Sequence, residues 1–387
     1  MGSVNCKEKR VKKRNNFKFY TLLFTLLTLS GCWDLEEVDR RAFGTTVGID
    51  INQRRQIILS FQVPIPQKML PPGAGGNVDQ GKNFSITSVT GTSVANAFRQ
   101  LQTKTFRRLV IQQNKSIIIG EEAARVGVAS LMDWLVRSPK APPQALVFVT
   151  NGRSANEILK FVPDQKVLPG LEFIASGQSA VKYDRTYFIP VWKFEQKLLY
   201  ESKDTYAPLI DIGPKQGNYR IFGLAVFNGY KMAGELDAKE AQAFGILTGR
   251  MSSGGMSFGT PEGQTITLRN VRGRTKIKVL SNGDQAPLFE VQSKVTAILN
   301  ELTDQKTNLT PKFTRGMEQM INESLKQRLE IVISKLQAYN SDVIDFGEQF
   351  RVQHPELWEN AIWKNVFPVV PYRITVKVSI QKDGVLR

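Results

Sequence analysis

The side chains with the most reactive chemistry in this sequence are few: two cysteines, Cys6 and Cys32, and one histidine, His354. A lone histidine all but excludes a histidine-built metal cluster or a nucleophile activated by imidazole. The adjacent acids Glu36/Glu37 and Glu121/Glu122 point in different directions from a helix or strand, so neither pair makes a general acid–base dyad. The glycines of 249–263 lack the Gly-Lys-Ser/Thr of a phosphate loop, and a mobile hairpin loop is expected there. What remains is the sulfur of Cys32, which directly follows Leu29-Ser30-Gly31. A thiolate is a good nucleophile, and small residues ahead of it suit a cut just before it. No catalytic, cofactor-binding or metal-binding residue is expected.

Two further patterns concern surfaces. Arg269, Arg272, Arg274, Lys276 and Lys278 put five bases and no acid in ten residues. On a strand, Lys276 and Lys278 share one face and Ile277 and Val279 the other. The plain expectation is a solvated strand face. The sharper one is contact with anionic headgroups or an acidic partner, worth roughly 1 kcal/mol per base beside a charged membrane. Trp358 and Trp363, with Phe367, have near-helical spacing and are expected in a core, the other reading being an aromatic cluster facing a membrane or partner. His354, beside Pro355, is expected to end a helix as a surface or half-buried residue.

The segment that positions Cys32 has three parts: a basic stretch to Lys18, an apolar run Phe19–Leu29, and Ser30-Gly31-Cys32. That order describes a secretory signal. Eleven helical residues reach only ~17 Å, against a bilayer core of ~30 Å, so a stable transmembrane helix is a poor fit. Leu29-Ser30-Gly31-Cys32 also resembles the lipobox of bacterial lipoproteins, which implies a diacylglyceryl group on the Cys32 sulfur and removal of 1–31. Two acyl chains anchor firmly where one is marginal. The other reading is an uncleaved signal anchor. Met1-Gly2 could begin a myristoylation motif, but position 6 is Cys rather than Ser or Thr. Trp33, next to the lipid, either sits at headgroup level or merely starts a tether. Cleavage would discard Cys6, so no disulfide is expected. It would also remove an excess of +6, leaving +11 of the chain's +17. Export argues against nucleic acid as the partner of that charge.

Beyond Cys32 the length suits two or three domains of ordinary composition. Residues 42–51 and 56–63 read as a hairpin, 64–82 as a flexible loop rich in Pro and Gly, and 84–90 as a strand. A helix over 93–104 is followed by a strand over 116–119 and one helix over 121–137, ended by Pro139. A strand at 145–150 precedes a helix from 154 with a capping box (Ser154, Glu157). Two helices near 170–178 and 191–202 and a strand over 205–212 complete a first region, 32–212, α/β in character with room for two subdomains. Gly213-Pro214-Lys215-Gln216-Gly217-Asn218 is the expected boundary. The second region, 219–387, should hold a hairpin turning at Asn228-Gly229 and a helix over 238–247 capped by Asp237. After it come strands over 264–271, 274–281 and 288–299. A helix over 312–338 carries Met317, Ile321, Leu325, Leu329, Val332 and Leu336 on one face. A helix over 342–353 and a strand over 372–381 close it. The class is α+β: a multi-domain chain of mixed sheets and packed helices, with antiparallel strands and a long helix in the C-terminal domain.

Four blocks of residues resemble the Ger(x)C lipoproteins, the C subunits of bacterial spore germinant receptors. The first is Gly31-Cys32-Trp33-Asp34 with Glu37, Ala42 and Gly48-Ile49-Asp50. The second is Ile117-Ile118-Ile119-Gly120-Glu121-Glu122-Ala123-Ala124, with Gly127 and Asp133 through Arg137. The third is Gly223-Leu224-Ala225-Val226-Phe227 with Lys231, Gly234, Leu236, Glu240 and Gly249. The fourth is Asp345-Phe346-Gly347 with Pro355, Trp358, Trp363, Phe367, Val376 and Val378. The prolines of 138–143 depart from the family, where charged residues are commoner. The resemblance implies a lipid-tethered, non-enzymatic subunit on the outer face of the spore inner membrane. Its expected partners are the receptor's A and B membrane subunits, and the receptor triggers germination on sensing nutrients. What the C subunit itself contributes is not implied. A solute-binding lipoprotein serving a transporter is the alternative; an enzyme is a distant third.

Overall fold

Ile117-Ile118-Ile119 leaves a strand with no polar face, and such a strand needs cover on both sides. The computed structural model provides it, with helices on both faces of a mixed eight-stranded sheet. It describes residues 40–65, 83–138, 141–163, 169–200, 202–214, 217–261, 263–280, 287–303, 310–358 and 360–381, together with Tyr20. By its contacts the chain divides into two units, Met1–Arg41 and Ala42–Arg387, and the two large sheets belong to the second. Apart from Tyr20, the expected signal segment lies outside the described residues, as do Cys32, Trp33, Glu36/Glu37 and most of the loop expected over 64–82.

In spatial order the larger sheet runs β10 (Lys231–Leu236), β9 (Tyr219–Asn228), β8 (Tyr206–Ile212), β7 (Leu146–Thr150), β6 (Ser116–Ile119), β2 (Thr46–Ile51), β3 (Ile57–Pro64) and β4 (Phe84–Gly91). β1 (Arg41–Phe43) pairs with β5 (Arg108–Val110) in a separate ribbon. The pairs β2/β6, β6/β7 and β7/β8 are parallel, and the four outer pairs are antiparallel. Alternation sorts the side chains: Ile117, Ile119, Val147 and Val149 enter one core, while Ile118 and Phe148 enter the other. The first core is covered by α1 (Val94–Lys104), α2 (Glu121–Val126), α3 (Ala129–Arg137) and α6 (Val191–Leu199). The second is covered by α4 (Ala155–Lys160) and α5 (Pro169–Lys182).

The caps read from the sequence form. Ser154 and Glu157 make a capping box on α4, and Asp237 and Glu240 make another on α7 (Ala238–Leu247). The single helix expected over 121–137 is instead two, α2 and α3, because Gly127 sits at φ +134° and breaks the hydrogen-bond ladder. The segment 213–218 joins β8 to its antiparallel neighbour β9, so both sequence regions contribute to one sheet.

A second sheet has the order β11 (Gly254–Gly259), β12 (Thr265–Leu280), β13 (Leu288–Leu302) and β14 (Tyr372–Gln381). Two expectations change here. The glycine-rich 249–263 contains β11, and the strands expected over 264–271 and 274–281 are one, β12, with an irregular register near Asn270 (φ +51°). The sheet is antiparallel except at β14, which returns parallel to β13 after the helical crossover. That crossover is α8 (Pro311–Ala338), α9 (Phe346–Gln353) and α10 (Asn360–Val366). The six apolar residues read on one face of α8 are all buried. Each stabilises by about 1.5–3 kcal/mol relative to an exposed site. The α+β class with its C-terminal sheet and long helix is what the structure has.

Candidate functional site

A cleft of about 680 Å³ opens where the parallel strands end. From β2 the chain proceeds to β3 and β4 on one side, whereas β6 leads to β7 and β8 on the other. The crevice left at the carboxyl ends of such diverging strands is where open α/β sheets bind ligands, and this volume is in the usual range for a small molecule. Asp50 comes from β2, Gly120 and Glu121 follow β6, and Gly152 and Arg153 follow β7.

Asp50 is buried, and its two carboxylate oxygens accept the Ala155 and Asn156 backbone N–H groups at 2.7 and 2.9 Å. Burial pushes its carboxyl above the ordinary range, against those two hydrogen bonds. Gly120 is required beside it, since a Cβ there would strike the Asp50 carboxylate. The Glu121 N–H donates to Thr150 Oγ1 at 2.9 Å, and its carboxylate takes Arg125 Nε at 2.9 Å and the Gly152 N–H at 2.8 Å. Arg153 pairs with Asp211 at 2.8 Å. Asn156 Nδ2 donates to Ser60 and Ser88, whose hydroxyls are 2.9 Å apart. Ser154 holds Glu157 below its ordinary range by backbone and side-chain hydrogen bonds. The walls thus carry both charge signs on fixed supports, suited to holding a small polar molecule in one orientation. Sequence reading found Asp50 only as a member of a resemblance block, and weighed Glu121 otherwise only as half of an adjacent acid pair. Their convergence depends on strand order, which no local spacing reports.

The other residues singled out lie elsewhere. Trp363 and Phe367 are buried and Trp358 packs against the same core, as the core reading expected. Phe346 stacks on Phe289 with ring centres 4.5 Å apart. Around them is a buried polar knot. Asp342 accepts from the Phe346 and Gly347 N–H groups at 2.9 and 2.6 Å and from Trp363 Nε1 at 3.1 Å. Asp204 accepts from the Gly229 and Asp342 N–H groups and pairs with Lys364 at 2.7 Å. His354 follows α9, half-buried, its Nε2 3.1 Å from the Val279 carbonyl. Glu122 lines the cleft beside Glu121. Arg272, Arg274, Lys276 and Lys278 are exposed on β12. Among the described residues no three His, Cys, Asp or Glu side chains gather as a metal site.

The comparisons with known proteins agree across both halves. A spore germination protein N-terminal domain matches residues 34–212, and the spore germination B3/GerAC-like C-terminal domain matches 222–384. The chain belongs to the Ger(x)C family. Among its relatives, spore germination protein B3 of Bacillus subtilis (strain 168) is 25% identical over 95% of this chain and 98% of that one. Spore germination protein KC of the same organism is 23% identical over 94% of each. The crystal structure of the GerBC protein superposes with a TM-score of 0.54 at 19% identity, over 90% of this chain and 99% of that one. That likeness makes the two-sheet architecture a shared Ger(x)C fold. Among the described residues no helix is long and apolar enough to cross a membrane.

Proposed function

We propose that this protein is the lipid-anchored, non-enzymatic C subunit of a spore germinant receptor. It is held on the outer face of the spore inner membrane by diacylglyceryl on Cys32, beside the A and B membrane subunits. The observation that carries the reading is where the family match begins: at residue 34, two positions past Cys32. The match then runs in family order to 384. Everything before Cys32 therefore falls outside the matched domains and has the order of a signal. The relatives' germination names support a role in germination.

Radioactive palmitate fed to sporulating cells should label the wild-type chain and not Cys32→Ser, which should stay unprocessed and leave the membrane fraction on washing. Affinity isolation from spore membranes should recover two multi-spanning proteins. Processing and tight membrane retention of Cys32→Ser without label would refute the anchor.

The cleft beside Asp50 favours a second reading, a solute-binding lipoprotein serving a transporter. Calorimetry with amino acids and sugars decides: tight binding, with no membrane subunits recovered, selects it.

A further inference from the structure

The face of the second sheet that no described element covers is a block of positive charge built across three strands. Strand pairing sets four rows on β12, β13 and β14: Lys278–Glu290–Arg373, Lys276–Gln292–Thr375, Arg274–Lys294–Lys377 and Arg272–Thr296–Ser379. Every one of these side chains is exposed except Glu290, which is half-buried. The opposite face, with Val279, Val291, Val295, Ile374 and Val378, is buried. Seven bases therefore share the face with one acid, and that acid is drawn to Arg373 at 3.8 Å.

Like charges directly opposite each other destabilise a sheet. The row Arg274–Lys294–Lys377 places three side by side, in strands ~4.8 Å apart. No described acidic side chain pairs with any of the three, nor with Lys276 or Lys278. A sequence optimised for folding alone has no reason to keep that row, so the charge answers to something outside the chain.

The chemistry of the face says what. Its four rows hold Lys, Arg, Thr, Ser, Gln and one Glu, with no aromatic or aliphatic side chain; the exposed Leu280 and half-buried Leu288 lie beyond them at one end, and the half-buried Ile298 at the other. Protein–protein interfaces concentrate their energy in aromatic and apolar anchors and deplete lysine from their centres. A flat field of long basic side chains without an anchor matches instead a smeared, two-dimensional negative charge. We propose that this face of β12, β13 and β14 docks on anionic phospholipid headgroups, turning the sheet toward the bilayer. The bilayer's proximity rests on the lipid anchor proposed above; the charge of the face does not.

The test measures that orientation separately from anchoring. The full chain, isolated from membranes, is reconstituted into vesicles of phosphatidylcholine alone or with about 30% phosphatidylglycerol, and its lysines are acylated by a membrane-impermeant reagent. Lys276, Lys278, Lys294 and Lys377 should react about fivefold more slowly on the anionic vesicles, and raising salt to about 1 M should restore the rate. The mass of the N-terminal peptide reports lipidation in the same sample, so loss of the anchor and loss of docking are read apart. The variant Arg274→Gln/Lys294→Gln/Lys377→Gln should fold with undiminished thermal stability and lose the protection at Lys276 and Lys278. Equal labelling on both vesicles overturns the proposal. So does protection seen only in native membranes, which would identify an acidic protein as the occupant.

Discussion

Asp342 lies where a carboxylate has no water to share, and its three partners are all donors: two backbone N–H groups and the Trp363 indole. Burial pushes its carboxyl up to about 7, with Asp345 and Asp204 adding to the rise and the hydrogen bonds opposing it. A carboxyl raised on folding binds its proton more tightly in the native state. Its contribution to stability is full below about 4 and is lost as pH climbs toward about 7. Glu348 has the opposite sign. Arg351, Ser202 and Lys203 lower it to about 2, so its contribution holds above the ordinary 4.5 and fades only as pH falls toward 2. Urea unfolding of wild type against Asp342→Asn should show stability falling more steeply between pH 4 and 7 in the wild type than in the variant, where the raised Asp50 and Asp184 carboxyls still titrate. The amide also turns an N–H toward donors, so the variant should lose about 2–4 kcal/mol. A variant slope equal to wild type would remove Asp342 from the titration. Nothing local in the sequence marked Asp342. The neighbouring Asp345-Phe346-Gly347 block was visible only as a resemblance, because the partners that give the knot meaning come from residues 204, 229 and 363–364.

Helix starts were legible because a cap is a contact over three residues, and Ser154 and Asp237 both cap as their spacing says. Breaks and edges were less so. Gly127 looks like a helix interior residue, yet its φ of +134° with ψ of +146° is a conformation essentially reserved for glycine. Gly127→Ala should therefore cost about 1–3 kcal/mol in a thermal melt without adding helix by circular dichroism. A gain in helicity would mean α2 and α3 fuse when allowed. The far half of β12 is an edge, since β11 pairs only with Thr265–Val271. Gln353 stands in for a strand there, its Oε1 accepting the Val279 N–H at 3.0 Å and its Nε2 donating to the Ile277 carbonyl at 3.2 Å. A side chain that satisfies two backbone groups also blocks strand addition. Gln353→Ala should lose about 1–3 kcal/mol and speed amide exchange at Val279 above that of its neighbours. Unchanged exchange would show that another group guards the edge. A Gln at a helix end carries no sign of such work in sequence, because the strand it protects is about 75 residues earlier.

At the scale of the whole molecule, the sequence shows two regions and the larger sheet joins them. Glycine and proline at 213–218 mark a turn, and a turn between domains looks the same as a turn between neighbouring strands. Pairing decides which. β8 hydrogen-bonds to β9 along seven residue pairs, and β10 extends the sheet beyond it. Cutting at 212 would leave β8 as a naked edge whose Tyr206, Ala207, Leu209 and Ile210 are wholly buried in the intact chain. The same cut strips Asp204 of Lys364, of the Gly229 and Asp342 N–H groups, and so leaves a buried carboxylate uncompensated. Losses of that kind cost about 3–5 kcal/mol for the charge alone, a large part of a domain's ~5–15 kcal/mol. Separately produced 33–212 and 219–387 should each aggregate or melt without cooperativity, whereas co-expression should recover a complex that melts as one transition. If 33–212 alone unfolds cooperatively as a monomer, the first region is a domain in its own right and β9 with β10 merely decorates its edge.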